Sequence, residues 1–456
     1  MIDMQTKRLR NTLAWTGVAL MALLLVLLAI VIVLNAFDEK LDSRAAAFGE
    51  PRESLVQDEN NGYFALLALN ANPGEDSMAY ARAWVTESRA ANMENRPEKR
   101  VDRKREQRDE VCDSAQDKCA ITTNTETEKA RSVLRAYQED LERYERLLSM
   151  RHYEEVLDYR LRVSSALPPY KYFIETQKAY LMCAAVFAQS GDMGGALAAI
   201  SRDLAFQRVM LAGTRTIHGQ AIAATAYTRN LAAIFELLRD RKLQVPLHLP
   251  ILRAMLQPID ATSLQVSKGL EPEFATAKSL LRNPLARSRE DRPVSSSDRV
   301  AIWLFYKRNA TTNRAYEKFM AAATPTSMSA QLLVQDRKAV EQSKQHRNLW
   351  NYVNNPIGNR VIDAVTPDFR DFALRLHDLD AFNRLLGLWV ECVAAGTSHE
   401  NAEKFIANAD QRFHDPYTGK PMQWDAEKKR IFFDAQGNFA KNKMAGMNNG
   451  GVFVTP

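Results

Sequence analysis

The chain has 456 residues, 46% hydrophobic and 25% charged, with a formal net charge of +6. That balance is too apolar for an intrinsically disordered chain and too weakly basic for a nucleic-acid footprint. Charges of mixed sign read as a solvated protein surface, so no nucleic-acid partner is expected.

In chain order, residues 1–12 form a basic arm in which Lys7, Arg8 and Arg10 outweigh Asp3. No charge occurs in residues 11–37, and residues 13–37 read as a transmembrane helix, because about 20 apolar residues cross the ~30 Å hydrocarbon layer. The exit Leu34-Asn35-Ala36-Phe37-Asp38 has no small-x-small cleavage pattern, and the run is longer than the about 7–15 residues of a secretory signal. The segment is therefore expected to stay as a signal anchor. The basic arm places the N-terminus in the cytoplasm by the positive-inside rule. The expected location is the cytoplasmic (inner) membrane, crossed once, with the main domain in the periplasm.

Residues 38–57, with Gly49 and Pro51, are expected as a polar tether, and residues 58–413 as a helical extracytoplasmic domain. Asp58-Glu59-Asn60-Asn61-Gly62 is similar to a calcium loop, but its glycine comes one position early and no acidic residue closes it, so it reads as a turn. A helix is predicted over residues 79–91, followed by a charge-dense stretch at 94–110. Residues 124–163 are predicted as one long helix, because Leu134, Tyr137, Leu141, Tyr144 and Leu148 recur at alternating spacings of three and four. Leu134, Tyr137, Leu141 and Tyr144 are candidate partner-binding residues if that seam is exposed. Packing on its own domain is the preferred reading for most of its length, with the exposed tip near residues 103–119.

Pro168-Pro169 ends this helix, and three antiparallel helices are predicted over 172–190, 193–212 and 216–239. Tyr180-Leu181, Ala184, the Gly191-Asp192 turn and Ala196-Leu197 resemble one tetratricopeptide unit. The resemblance implies helix-hairpin stacking. It does not carry over a peptide groove, because no second copy follows at a period near 34 residues. Further helices are predicted over 249–256, 261–282, 297–308, 313–323, 330–353 and 369–394, with prolines between them. Residues 283–297 are a possible internal boundary. Residues 414–456 are expected as a C-terminal β-hairpin, with strands at 422–424 and 430–433, and a flexible tail. The turn Asp415-Pro416-Tyr417-Thr418-Gly419-Lys420-Pro421 ahead of that hairpin resembles uncharacterised bacterial single-pass envelope proteins with an N-terminal anchor and a helical middle. That resemblance implies an envelope location and no activity. The expected fold class is all-α: an N-terminal transmembrane helix, an extracytoplasmic helical-hairpin array and a small C-terminal β-hairpin.

Chemistry is sparse. Cys112 and Cys119 are seven positions apart in a polar segment and are expected to form a disulfide in an oxidising compartment. Cys183 and Cys392 sit in apolar runs and read as buried small hydrophobes, with a long-range bridge as the alternative. His399-Glu400 lacks the second histidine of a zinc protease, since Glu403 occupies that place, and Thr397 with Glu400 reads as a helix capping box. Glu53-Ser54 and Glu87-Ser88 lack the glycine-rich sequel of lytic transglycosylases. Glu271 and Glu273 suit a helix start better than a glycosidase pair. No catalytic, cofactor-binding or metal-binding residue is assigned. The expected function is a membrane-anchored, non-enzymatic periplasmic scaffold, adaptor or assembly factor with a protein partner. The alternative is an anchored hydrolase of wall polymer or peptide.

Overall fold

The computed structural model describes residues 2–50, 57–90, 127–156, 168–239, 243–282, 295–342, 350–366, 368–437, 447–448 and 451–454. The described helices are α1 (Ile2–Asn35), α2 (Ser43–Ala47), α3 (Gly62–Ala68), α4 (Ser77–Ala90), α5 (Thr127–Ala136), α6 (Gln138–Leu148), α7 (Tyr170–Gln189), α8 (Met193–Gly213) and α9 (Ile217–Arg239). They continue with α10 (Val245–Met255), α11 (Leu270–Arg282), α12 (Ser296–Phe305), α13 (Arg308–Ala323), α14 (Ala330–Gln342), α15 (Trp350–Val353), α16 (Pro356–Val365), α17 (Arg370–Ala394) and α18 (His399–Ala407). Four strands close the chain: β1 (Gln423–Asp425), β2 (Arg430–Asp434), β3 (Met447–Asn448) and β4 (Gly451–Val454). The fold is mostly helical, as expected.

The chain divides into two compact units. The first comprises Met1–Phe48, Phe274–Ala321 and Ser343–Pro367, the second Gly49–Glu273, Ala322–Gln342 and Asp368–Pro456. In the first unit, Ala14–Asn35 is a helix long and apolar enough to cross a membrane, with a mean hydropathy of 3.3. Its last turn is bonded to the segments that follow α12 and α15. Asn35 Nδ2 donates to Val353 O at 2.8 Å, and Asn355 N donates to Asn35 Oδ1 at 2.7 Å. Residues 38–48, expected as part of a tether, are bonded into this unit instead. The Asp38 carboxylate accepts from the backbone N–H groups of Asn309 and Ala310, satisfying open donors in the first turn of α13. Phe48 stacks within a cluster of Phe274, Tyr316 and Phe319.

In the second unit α7, α8 and α9 pack as successive antiparallel helices, with α8 against both neighbours. The Gly191-Asp192 turn forms as predicted: Gly191 has a φ of +87°, and Asp192 caps α8 by accepting from Gly195 N. Helix α17 is the centre, buried nearly all round and packed on α9, α10, α14 and β2. Its buried polar residues Asp378, Asp380 and Asn383 each bond to neighbouring segments, as burial requires.

The long helix predicted over 124–163 is instead α5 and α6, interrupted at Tyr137 and ended at Leu148. Tertiary bonding overrides the periodicity. Asn61 Nδ2 donates to Glu154 O, Asn61 Oδ1 accepts from Glu154 N, and Gly62 N donates to His152 O, so residues 152–154 run extended beside the start of α3. The predicted 261–282 helix begins only at Leu270, after a turn at Ser267–Gly269. The predicted 330–353 helix is α14 and α15, with residues 343–349 outside the described residues. Most of the proposed boundary at 283–297 and the charge-dense 94–110 stretch also lie outside them.

The hairpin forms with antiparallel register Trp424↔Ile431. The end expected as a flexible tail contributes β3 and β4, in the order β1-β2-β4-β3, with Phe432↔Phe453 paired. The second edge of β2 offers unpaired backbone groups, which β4 satisfies.

Candidate functional site

Three buried carboxylates of the second unit carry the most distinctive polar chemistry. Asp203 on α8 is fully buried. Its Oδ1 accepts from Tyr144 Oη at 2.9 Å and Gln207 Nε2 at 2.7 Å, and its Oδ2 from Gln177 Nε2 at 2.9 Å and Asn230 Nδ2 at 3.0 Å. Burial pushes the carboxyl above the usual range, against the pull of those four donors. Glu155 is raised by burial too, while accepting from Tyr170 Oη and Thr216 Oγ1 on one oxygen and Arg215 N on the other. Gly219 makes room for it, since a Cβ there would lie 2.0 Å from Glu155 Oε1. Asp378 on α17 accepts from Tyr417 Oη, Gln436 N and Gly437 N, fastening the hairpin to the central helix. In all three, both oxygens already hold donors. Such groups tie elements together, their oxygens engaged by internal donors.

A cleft of about 740 Å³ opens beside the C-terminal end of α17, within the usual range of ligand sites. Local sequence builds it. Gly396, at a φ of +62°, ends α17 in a Schellman turn: Gly396 N bonds Val393 O and Thr397 N bonds Cys392 O. Thr397 is thereby used to close α17, and the predicted capping box at Thr397 and Glu400 does not form. Ser398 is the N-cap of α18 and makes no side-chain capping bond.

Leu388, Phe405 and Phe413 give the cleft an apolar floor, and Asn401, Lys404, Asn408, Asp410 and Arg412 surround it. Glu391 is held by both arms of Arg253, at 2.8 and 2.7 Å. Arg412 therefore reaches it only at 3.8 Å, beyond hydrogen-bond range. Its Nε is buried without an acceptor, its Cζ lies 4.6 Å from the Phe413 ring centroid, and the side chain remains 39% exposed. The cleft thus pairs aromatic and aliphatic surface with an under-satisfied guanidinium and an exposed lysine, a combination suited to an apolar peptide segment carrying a carboxylate.

The sequence-predicted candidates fall elsewhere. Tyr137 and Tyr144 are buried, and Leu134 and Leu141 are half-buried. Tyr144 packs on Phe173 and Tyr180 and bonds Asp203, so this seam faces inward. Cys112 and Cys119 lie outside the described residues. Cys183 and Cys392 are free thiols, pushed up by burial to about 11 and about 12. Among the described residues no group of three His, Cys, Asp or Glu side chains could hold a metal ion. The cleft residues form no spaced motif in the sequence. The one available signal was the Gly396-Thr397 break followed by a short amphipathic stretch containing Lys404 and Phe405.

Comparison with protein-family models, curated proteins and solved structures finds no match to this chain.

Proposed function

We propose that the chain is a membrane-anchored, non-enzymatic adaptor of the bacterial envelope, in which α1 spans the cytoplasmic membrane and the periplasmic helical units hold a partner protein. The partner contributes a short segment with an apolar and an acidic residue to the cleft between α17 and α18. The observation that carries this reading is the cleft itself: an apolar floor beside the part-exposed guanidinium of Arg412, which reaches Glu391 only at 3.8 Å while Arg253 holds that carboxylate with two hydrogen bonds. Supporting the location are the uncharged Ala14–Asn35 helix, the basic arm before it, and the likeness of the Asp415–Pro421 turn to single-pass envelope proteins.

The alternative, a hydrolase working through converging carboxylates, would need one of them free to accept a proton from water. Asp203, Glu155 and Asp378 instead spend their oxygens on internal donors. The test is affinity purification of the full chain from solubilised membranes, comparing wild type with Phe405→Asp and Lys404→Glu. Loss of one co-purifying protein in both variants, at unchanged thermal stability, is expected. Recovery of the same proteins in the same yield from both variants would refute the cleft as the docking site.

A further inference from the structure

Helix α12 has a composition that its surroundings do not explain. It starts polar, with a capping box between Ser295 and Asp298, and continues as Val300-Ala301-Ile302-Trp303-Leu304-Phe305. No residue of α12 is buried; Trp303 is 79% exposed and Val300 54%. Ala301, Ile302, Leu304 and Phe305 are half-buried, and Val300 and Trp303 stand exposed beside them, an apolar surface out of place in water.

The position of α12 supplies the missing solvent. It packs on α1 and α16, and of residues 14–35 of α1 only Val31, Ile32, Leu34 and Asn35 are even partly covered. Two residues beyond Phe305, Lys307 Nζ donates to Leu34 O at 2.5 Å and to Asn354 Oδ1 at 3.0 Å. The C-terminal end of α12 is thereby fixed at the last turn of the apolar helix, where hydrocarbon gives way to headgroups. Val31 lies about 6 Å below Asn35 along the helix axis at 1.5 Å per residue, a depth typical of interfacial helices. Trp350, 48% exposed, lies three residues before Val353, which accepts from Asn35. Exposed Arg299 and Arg308 bracket the apolar run, as cations facing anionic headgroups do.

We infer that α12 lies in the headgroup layer of the membrane that α1 crosses, with Val300 and Trp303 inserted into lipid and Arg299 and Arg308 at its anionic surface. This rests on the reading of α1 as a membrane span. The first unit is then seated on the bilayer by two elements, and its orientation relative to the membrane is set by α12 rather than left to rotation about a single helix.

The experiment uses the full chain in vesicles of phosphatidylcholine and phosphatidylglycerol, carrying Trp15→Phe and Trp350→Phe so that Trp303 is the exposed reporter. Lipids brominated near the headgroup end of the acyl chain should quench a component of the emission that Trp303→Phe removes. Carbonate extraction of the same vesicles reports on α1 separately. Retention in the membrane together with bromolipid quenching is the expected result. Retention with Trp303 quenched only by aqueous iodide would overturn the inference and leave the anchor intact. Shielding from both quenchers would mean that another protein surface covers α12, and would overturn it as well. Release by carbonate would overturn the anchor reading and this inference together.

Discussion

Lys307 Nζ donates a hydrogen bond to the carbonyl oxygen of Leu34, placing a cation on the open C-terminal turn of the apolar helix. Such a turn leaves carbonyls without intrahelical partners, and a buried ammonium both satisfies one and favours the negative end of the helix dipole. Lys307 also bonds Asn354 Oδ1, while its own N–H donates to Asn355 Oδ1, so one residue joins α1 to the segments before α13 and α16. Lys307→Ala should cost about 2 kcal/mol, the usual size of a lost hydrogen bond to a charged group. Hydrogen exchange on the full chain in micelles should show faster exchange at residues 305–311 and 353–359. Unchanged protection there would show that the clamp is incidental.

The Asp203 network gives a stability prediction with a pH sign. Tyr144→Phe removes one of its four donors and should destabilise the second unit by about 1–3 kcal/mol in urea titrations. The Asp203 carboxyl is raised above its ordinary value of 3.8 by burial, so the folded state holds its proton more tightly than the unfolded state. Its contribution to stability is therefore fully present below 3.8 and is lost as pH rises through the raised folded value. Asp203→Asn should flatten that fall. The new amide finds an acceptor once Gln207 or Asn230 turns its side-chain amide, since Gln207 Oε1 and Asn230 Oδ1 have no partner. A variant with the wild-type pH slope would show that another group sets it.

Compartment and cysteine chemistry are tested together. A reporter fused at Gln57 should be active only if that point lies outside the cytoplasm. Alkylation and mass spectrometry of unreduced membranes should find Cys112 bridged to Cys119, a loop worth about 2–3 kcal/mol. Cys183 and Cys392 should remain reduced, since thiols raised to about 11 and about 12 carry almost no thiolate at neutral pH. Free Cys112 and Cys119, or an active cytoplasmic reporter, would contradict the proposed periplasmic location.

Elements whose physics is local were legible in the sequence. The uncharged run of α1, the Gly191-Asp192 turn between α7 and α8, the apolar length of α17 and the alternation of β2 each need only a few neighbouring residues to be recognised. Elements set by distant partners were not. Asn61 draws residues 152–154 into an extended path and limits α6, although the seam through Tyr144 continued the helical period. Thr397 matched a capping box by spacing, yet the positive φ of Gly396 committed it to ending α17. The cleft was hidden for the same reason: Arg253, Glu391 and Arg412 come from three separate segments, and no spacing links them.

The central claim is that the cleft at α17 and α18 receives a segment of a partner protein. The most direct measurement is site-specific photocrosslinking in intact cells, with the photoreactive residue at Asn401 in the cleft or at exposed Glu142 on α6 as the control. Asn401 should yield one discrete adduct whose cross-linked peptide carries an Asp or Glu beside an apolar residue, abolished by Arg412→Gln, while Glu142 yields none. Identical adducts from both positions, or an Asn401 adduct that persists in Arg412→Gln, would contradict the claim.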